Sequence, residues 1–411
     1  LYSSAEQRLE RLVRAGIDRL LQESRIGLEK ENLRVASNGC LAQTSHPAAL
    51  GAPLTHPYIT TDYSEALMEF VTPPLTDVER VLEFLGDVQT YVYDHLGEEF
   101  LWAASMPCVC SGDGEIQIAR YGRSNPGMLK HIYRRGLAHR YGRMMQVIAG
   151  VHFNFSLSPT FWRAYQAHVG DHRPEQTFVD EQYFALMRNL QRLGWLVPYL
   201  FGGSPAVCQS FLGDQPHDLE AYDGWTYYAP CATSLRMSDI GYQNSKESKA
   251  GLRVSYDDLD AYVDSLFWAT QASTPEYEQI GVKADGTYRQ LNSNILQIEN
   301  EYYSSLRPKQ LTRDGERPLR ALRQRGVGYI ELRSMDVSPF EPLGLTADDL
   351  RFLEALLVFC LMADSPRITE TERAEIDFNQ QTVCSRGRCP NLRLQCEGAT
   401  LPMREWLEER G

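Results

Sequence analysis

Residues 25–35 read RIGLEKENLRV. Ile26, Leu28, Leu33 and Val35 stand at alternate positions of a run that looks like a buried strand, and two carboxylates, Glu29 and Glu31, interrupt it. Successive strand residues point to opposite faces, so these two glutamates emerge on one side. At that spacing their side chains are about 7 Å apart or less, and when both are ionised they repel. A cation held between them removes the conflict.

The surrounding chain has the same grammar. ALMEFVTPP (66–74) is a strand stopped by two prolines. GVHFNFSLS (150–158) alternates, with Val151, Phe153 and Phe155 on one side and His152, Asn154 and Ser156 on the other. VGYIELRSMDV (327–337) repeats the pattern, and its Glu331 and Arg333 share a face. A helix is predicted over 4–22, with Ser4 and Gln7 as a capping box and Leu9, Leu12, Val13, Ile17, Leu20 and Leu21 as one stripe. Further helices are predicted over 77–97 and after an N-cap at Thr346. Strands grouped with long helices predict an α+β fold with a mainly antiparallel sheet. Half-polar strands suit a sheet with one face on a core and the other lining a cleft. With no repeat and no linker, residues 1–411 read as a single catalytic unit. It comprises the helix 4–22, a sheet-and-helix body over about 25–365, and a C-terminal segment 366–411.

Composition narrows the function classes. The chain has 54 acidic and 41 basic residues, a net charge of -13, which argues against nucleic acid as a partner. It also makes ATP a poor partner unless cations reverse the local field. No apolar run approaches the roughly 20 residues that span a bilayer, and no signal-type segment opens the chain, so a cytoplasmic protein without membrane partners is expected. Nine cysteines, an odd count, are expected to be reduced. Cys384, Cys389 and Cys396 cluster without zinc-site spacing and read as incidental thiols in a loop.

More carboxylates sit in apolar strands: Asp62 in ITTDYSEALMEFVTP, Glu69 between Met68 and Phe70, and Glu331 between Ile330 and Leu332. Taken singly, each reads as a solvated side chain, and a strand histidine such as His152 reads as a satisfied one. Their recurrence carries the case. Carboxylates with one imidazole, and no cysteine among them, suit a hard cation such as Mg²⁺ or Mn²⁺. Basic residues recur as well. KHIYRRGLAHRYGR (130–143) holds Tyr133, Arg134 and Arg140, ATSLRMSDIGY holds Arg236 and Tyr242, and IENEYYSSLRPK holds Tyr303, Arg307 and Lys309. Arginine forks match carboxylate and phosphate oxygens, although spacing alone makes 130–143 an ordinary solvated helix face. There is no GxxxxGK[ST], no GxGxxG ahead of a helix, no GxSxG and no Cys/His nucleophile pair. FGGSP (201–205) reads as a turn. Phosphates would therefore be held by metal ions and by arginine and lysine side chains.

GLEKENLRV, LTHPYITTDYSEALMEFVTP, YGRSNPG, YRRGLAHRYG, GVHFNFSLS, PYLFGGSPAVC, ATSLRMSDIGY, LQIENEYYSSLRPK and YIELRSMDVSPF follow one another along the chain. Together, over about residues 20–400, they resemble the proteobacterial type of glutamate–cysteine ligase. The resemblance implies an antiparallel sheet curved into a funnel, similar to the glutamine synthetase and guanidino kinase group. It implies L-glutamate, L-cysteine and ATP as small-molecule substrates and a monomer as the expected state. It places Glu29, Glu31, Asp62, Glu69, His152 and Glu331 at metal positions, with Glu331, Arg236 and Arg333 serving catalysis near the glutamate and the transferred phosphate. Tyr133, Arg134, Leu137, Ile148, Tyr242 and Tyr303 match the pocket for the cysteine substrate, and Arg307 and Lys309 match nucleotide contacts. Members of the family usually continue with a helical C-terminal segment, so 366–411 is expected to be incomplete. The rival readings are a ligase for another amine and a non-catalytic ligand-binding relative.

Overall fold

Arg25–Val35 forms the central strand, β1. The structure is a computed structural model that describes residues 2–108, 112–213, 215–241 and 251–410. Around β1 lie Ile59–Thr61 (β2), Leu67–Val71 (β3), Phe100–Leu101 (β4), Val151–Ser156 (β5), Leu306–Lys309 (β6) and Tyr329–Met335 (β7). The order is β6–β7–β5–β1–β3–β2, with β4 pairing the end of β1, and every pair is antiparallel. This is the α+β, antiparallel architecture that the strand patterns predict.

Alternation divides the sheet into two faces. Ile26 and Leu28 pair in register with Phe155 and Phe153, which in turn pair with Ile330 and Leu332. All six are buried on one face. Two helices pack around that side. Val78–Tyr93 (α1), capped by Asp77, contacts β1 and β3, and Glu175–Leu193 contacts β6. Ala347–Met362, opened by the capping box Thr346–Asp349, packs on both helices. The opposite face carries Glu29, Glu31, Glu69, His152, Asn154 and Glu331. Its polar strip ends at Leu33, which pairs with Leu67.

Three positions of β1 on the apolar face depart from that pattern. Lys30, Asn32 and Arg34 are buried, and each has a partner, although Asn32 Oδ1 and Arg34 Nε are left without one. Lys30 Nζ donates to Gln89 Oε1 at 2.7 Å, Asn32 Nδ2 to Trp102 O at 3.1 Å, and Arg34 to Glu99 at 2.5 Å and Glu65 O at 2.9 Å. Burial pushes the Lys30 ammonium down to about 7, since a neutral amine costs less to desolvate.

Three expectations are corrected. The N-terminal helix runs over Tyr2–Ala15 only, and a 3-10 turn at Asp18–Glu23 follows it. Gly16, at φ +70°, lies between them and ends the helix. Ser4 is therefore inside the helix, where its Oγ accepts from Asp364 N–H, and Leu12 is buried while Leu9 and Val13 are exposed. The C-terminal cysteines are not loop thiols. Cys384 is buried in the helix Glu370–Arg386 and Cys396 on the strand Arg393–Cys396. Nor are all nine cysteines reduced, as the odd count suggests: Cys389 forms a disulfide with Cys231 across 158 positions. Long-range bonds such as Arg388 N–H to Cys231 O, at 2.8 Å, bring those segments together, and local spacing could not show that.

Candidate active site

Strand register assembles the polar face. Glu29 stands opposite His152, Glu31 opposite Glu69, and Glu331 opposite both Asn154 and Arg307. One ligand atom each from Glu29, His152 and Glu331 lie within 4.8 Å of one another. His152 Nδ1 is 3.1 Å from Glu29 Oε2 and 3.6 Å from Glu331 Oε1, and its Nε2 is 3.8 Å from Glu31 Oε1. A single imidazole from β5 thus sits among three carboxylates, two from β1 and one from β7. Two donors fix the outer oxygens: Asn154 Nδ2 to Glu29 Oε1 at 3.0 Å and Gly150 N–H to Glu31 Oε2 at 2.8 Å. Glu69 and Asp62 continue the acidic strip past Glu31 toward β2.

The strip is electrically divided. At the Glu331 end burial raises the carboxyl, but Lys309, Arg333, His152 and Arg307 outweigh it and hold Glu331 well below the usual carboxylate range. Burial and Glu331 raise Glu29, while the hydrogen bond and charge of His152 and the charge of Lys309 bring it below its ordinary value. At the Glu69 end the opposite holds. Burial, then Glu29, Asp62 and Glu31, push Glu69 well up. Burial also raises Glu31, with Asp62 adding to it against His152, Arg236 and Arg333. Such an accumulation of anionic oxygens around one imidazole is the donor set of a hard divalent cation. Glu331 Oε2 is buried without a hydrogen bond, its one charged neighbour being Lys309 Nζ at 3.3 Å, so a lone pair remains for such an ion.

Cations border this centre. Arg333 Nη1 is 3.0 Å from Glu331 Oε1 and 3.3 Å from His152 Nδ1, and Lys309 Nζ is 3.3 Å from Glu331 Oε2. Arg236 Nη2 donates to Arg333 O at 2.8 Å, in space that Gly150 leaves open, since a Cβ there would fall 2.0 Å from that nitrogen. Arg307 is engaged by Asn300 O and Tyr302 O at 3.0 and 2.5 Å.

The helix Asn125–Tyr141 (α2), capped by Ser124, brings the 130–143 run to the β2 edge. Arg134 Nε donates to Asp62 O at 2.5 Å, its Nη2 lies 3.5 Å from Asp62 Oδ1, and its guanidinium lies over the Tyr121 ring. Leu137 is buried beside it, and burial together with Glu301 raises the Tyr133 hydroxyl. Tyr303 Oη donates to Gln146 Oε1 at 2.8 Å. Ile148 is buried in a separate apolar cluster with Met106, Val207 and Leu235. Tyr242 lies outside the described residues. The solvated-face reading of this run gives way for Arg134 and Arg140, which are buried. Arg140 binds Glu301 at 2.8 Å and Gln290 at 2.9 Å, and stacks 4.0 Å from the Tyr277 ring centre. Sequence reasoning missed Asn154, which shares a strand face with His152. It also missed Lys130, one helical turn before Arg134, which feels both Glu69 and Asp62.

Comparison with known proteins adds an independent finding. The family model described as glutamate–cysteine ligase matches residues 9–383. The chain is 49% identical to the glutamate–cysteine ligase of Alcanivorax borkumensis, over 98% of this chain and 78% of that one. It is 48% identical to that of Pseudomonas putida, over 95% and 74%. Among solved structures, glutamate–cysteine ligase from Francisella tularensis in complex with AMP matches with a TM-score of 0.88 at 37% identity, covering 94% of this chain and 76% of that one. A bifunctional glutathione synthetase from Pasteurella multocida matches with a TM-score of 0.70 at 26% identity, covering 93% and 43%. No helix among the described residues is long and apolar enough to cross a membrane.

Proposed function

Because this chain belongs to the glutamate–cysteine ligase family, we propose that it joins the γ-carboxylate of L-glutamate to the amine of L-cysteine with ATP as co-substrate. The products are γ-glutamylcysteine, ADP and phosphate. The observation that carries the reading is His152 set among Glu29, Glu31 and Glu331, with Arg333 and Lys309 at the rim. The AMP bound by the Francisella tularensis relative supports a nucleotide co-substrate.

A carboxylate does not react with an amine in water, because its leaving group would be oxide. In the proposed sequence the glutamate γ-carboxylate attacks the γ-phosphorus of ATP and releases ADP. The cysteine nitrogen then attacks the acyl carbon of the γ-glutamyl phosphate and expels phosphate. The first step brings two anions together, so charge neutralisation dominates. Glu29, Glu31, Asp62, Glu69, His152 and Glu331 are the residues that would hold Mg²⁺ or Mn²⁺, which supplies that neutralisation and Lewis acidity when bound. Arg333 and Arg236 steady phosphoryl oxygens, and Lys309 and Arg307 serve the nucleotide. Arg134, with Tyr303 and Tyr242, receives the carboxylate of cysteine, while Tyr133, Leu137 and Ile148 enclose its side chain. That enclosure presents nitrogen rather than the more nucleophilic sulfur.

In this reading the sheet curves into a funnel around the substrates, and the chain works as one catalytic unit. Its ligands come from strands spread over residues 25–335, which supports that unity. The test is ADP release with Mg²⁺, ATP and L-glutamate, with and without L-cysteine, and a mass spectrum of the product. Cysteine-dependent ADP with the mass of γ-glutamylcysteine is the expected result. ADP without that product assigns another amine, and no turnover by folded protein overturns the ligase reading.

A further inference from the structure

The helix α2 has a second face that the proposed chemistry does not use. His131, Arg135 and His139 recur at i, i+4 and i+8, on the side away from Tyr133 and Leu137. Facing them is the segment 113–120, and Arg143 closes one end. Between the two walls lies a cleft of about 700 Å³ lined by Gln117, Arg120, His131, Arg135 and Arg143. It adjoins a second cavity of about 330 Å³ that reaches His139.

Charge in this cleft is only partly compensated, Asp113 being the one carboxylate among the described residues that line it or the adjoining cavity. The Arg120 and Arg135 guanidiniums make no hydrogen bond or ion pair among the described residues, and Arg143 Nη1 meets only the carbonyl of Ile116, at 2.9 Å. The nearby carboxylate of Asp113 is occupied by the backbone N–H groups of Arg143 and Met144 at 3.0 and 3.1 Å. His139 registers the excess: burial, then Arg289, Arg135 and Arg143, all push its imidazole down. A chain of net charge -13 has thus gathered three arginines and two histidines around one concavity. Arginine forks on opposing walls match a ligand with more than one oxyanion group, and the space is that of a small-molecule site.

The geometry points to a second ligand site here, separate from the carboxylate centre, for a small polyanion bearing phosphate or carboxylate groups. The two walls run back to neighbouring residues, Asp62 and Tyr63. Arg134, on the other face of α2, donates to Asp62 O, and Ala119 N–H donates to Tyr63 O at 3.0 Å. An occupant would therefore tighten the two segments that frame the β2 edge of the proposed active site.

The test is isothermal titration of pyrophosphate, and in a parallel arm citrate, into protein stripped of divalent ions. Omitting divalent ions leaves the carboxylates of the proposed active site unneutralised and weakens any binding there, and the loss in Arg135→Glu assigns the rest to the cleft. Binding by the parent protein, weakened at least about tenfold by Arg135→Glu, is expected. Arg120→Gln, an exposed change, is expected to weaken it severalfold, and its melting curve shows that the fold is kept. Arg80→Glu, with the same charge change on the exposed side of α1, should leave affinity within about twofold. Tighter pyrophosphate assigns a phosphate ligand, and tighter citrate a carboxylate one. Absence of binding by the parent protein, or equal loss in Arg80→Glu and Arg135→Glu, overturns the proposal.

Discussion

Glu69→Gln separates the two roles a carboxylate can play on this sheet. Glu31 and Glu69 are directly opposed across β1 and β3. Directly opposed residues have Cβ atoms about 4.5–5.5 Å apart. With carboxylates about 5 Å apart and an effective dielectric constant of about 20, their repulsion is about 3 kcal/mol. Retention of a proton by Glu69, whose carboxyl is pushed well up first by burial and then by Glu29, Asp62 and Glu31, relieves part of it. Removing the charge should therefore stabilise the metal-free protein by about 1–3 kcal/mol, a rise of about 1–4 °C in melting temperature for a chain of this length. The same change deletes a proposed ligand, so Mn²⁺ affinity should fall at least about tenfold. Scanning calorimetry of ion-stripped protein measures the first effect and titration with Mn²⁺ the second. A metal-free variant that melts at or below the parent temperature refutes the repulsion argument. Unchanged Mn²⁺ affinity removes Glu69 from the ligand set.

Glu331→Gln should cut cysteine-dependent ADP release by about a thousandfold or more, and normal turnover at saturating Mg²⁺ would exclude its assigned role. It should also cost stability, because Lys309 and Arg333 lose their shared anion. Gly150→Ala drives a methyl into the Arg236 guanidinium and should lower kcat at least about tenfold, with a stability loss of about 1–3 kcal/mol; unchanged turnover would show that the position of Arg236 is immaterial. Arg140→Met leaves Glu301 buried without its cation, at about 3–5 kcal/mol near neutral pH. The Glu301 carboxyl is already raised by burial against Arg140, and it rises further in the variant. The folded variant then keeps a proton that the unfolded chain releases above the ordinary glutamate value, so its stability falls as pH rises. Urea midpoints should show a larger deficit at pH 8 than at pH 5, and an equal deficit would rule the mechanism out.

The site was legible to the extent that period-two alternation was. Glu29, Glu31, His152 and Glu331 announce themselves because each alternates with apolar residues of a buried strand, and Asn154 was readable by the same rule. What alternation conceals is a buried polar residue on the core side. Lys30, Asn32 and Arg34 look like solvent positions until Gln89, Trp102 and Glu99 arrive from elsewhere in the chain. Arg140 is the helical counterpart, a cation whose partners Gln290 and Glu301 lie 150 and 161 positions away. The Cys231–Cys389 pair belongs with these. The helix break at Gly16 is a different case, since the glycine stood in the sequence and the amphipathic stripe was read through it.

Glu29 meets His152 across 123 positions, and Arg333 meets His152 across 181. On a ribosome the first proposed ligand therefore waits for most of the chain before the last one emerges. Pairings this distant form slowly, whereas the pairing of β1 with β3, which sets Glu31 against Glu69, spans far fewer residues and needs nothing beyond Val71. Sequence separation alone thus orders the contacts, the acidic strip of β1 and β3 being nearer in sequence than its imidazole and arginine partners. On the proposed ligand set, a divalent cation finds all of its donors only once β7 has docked.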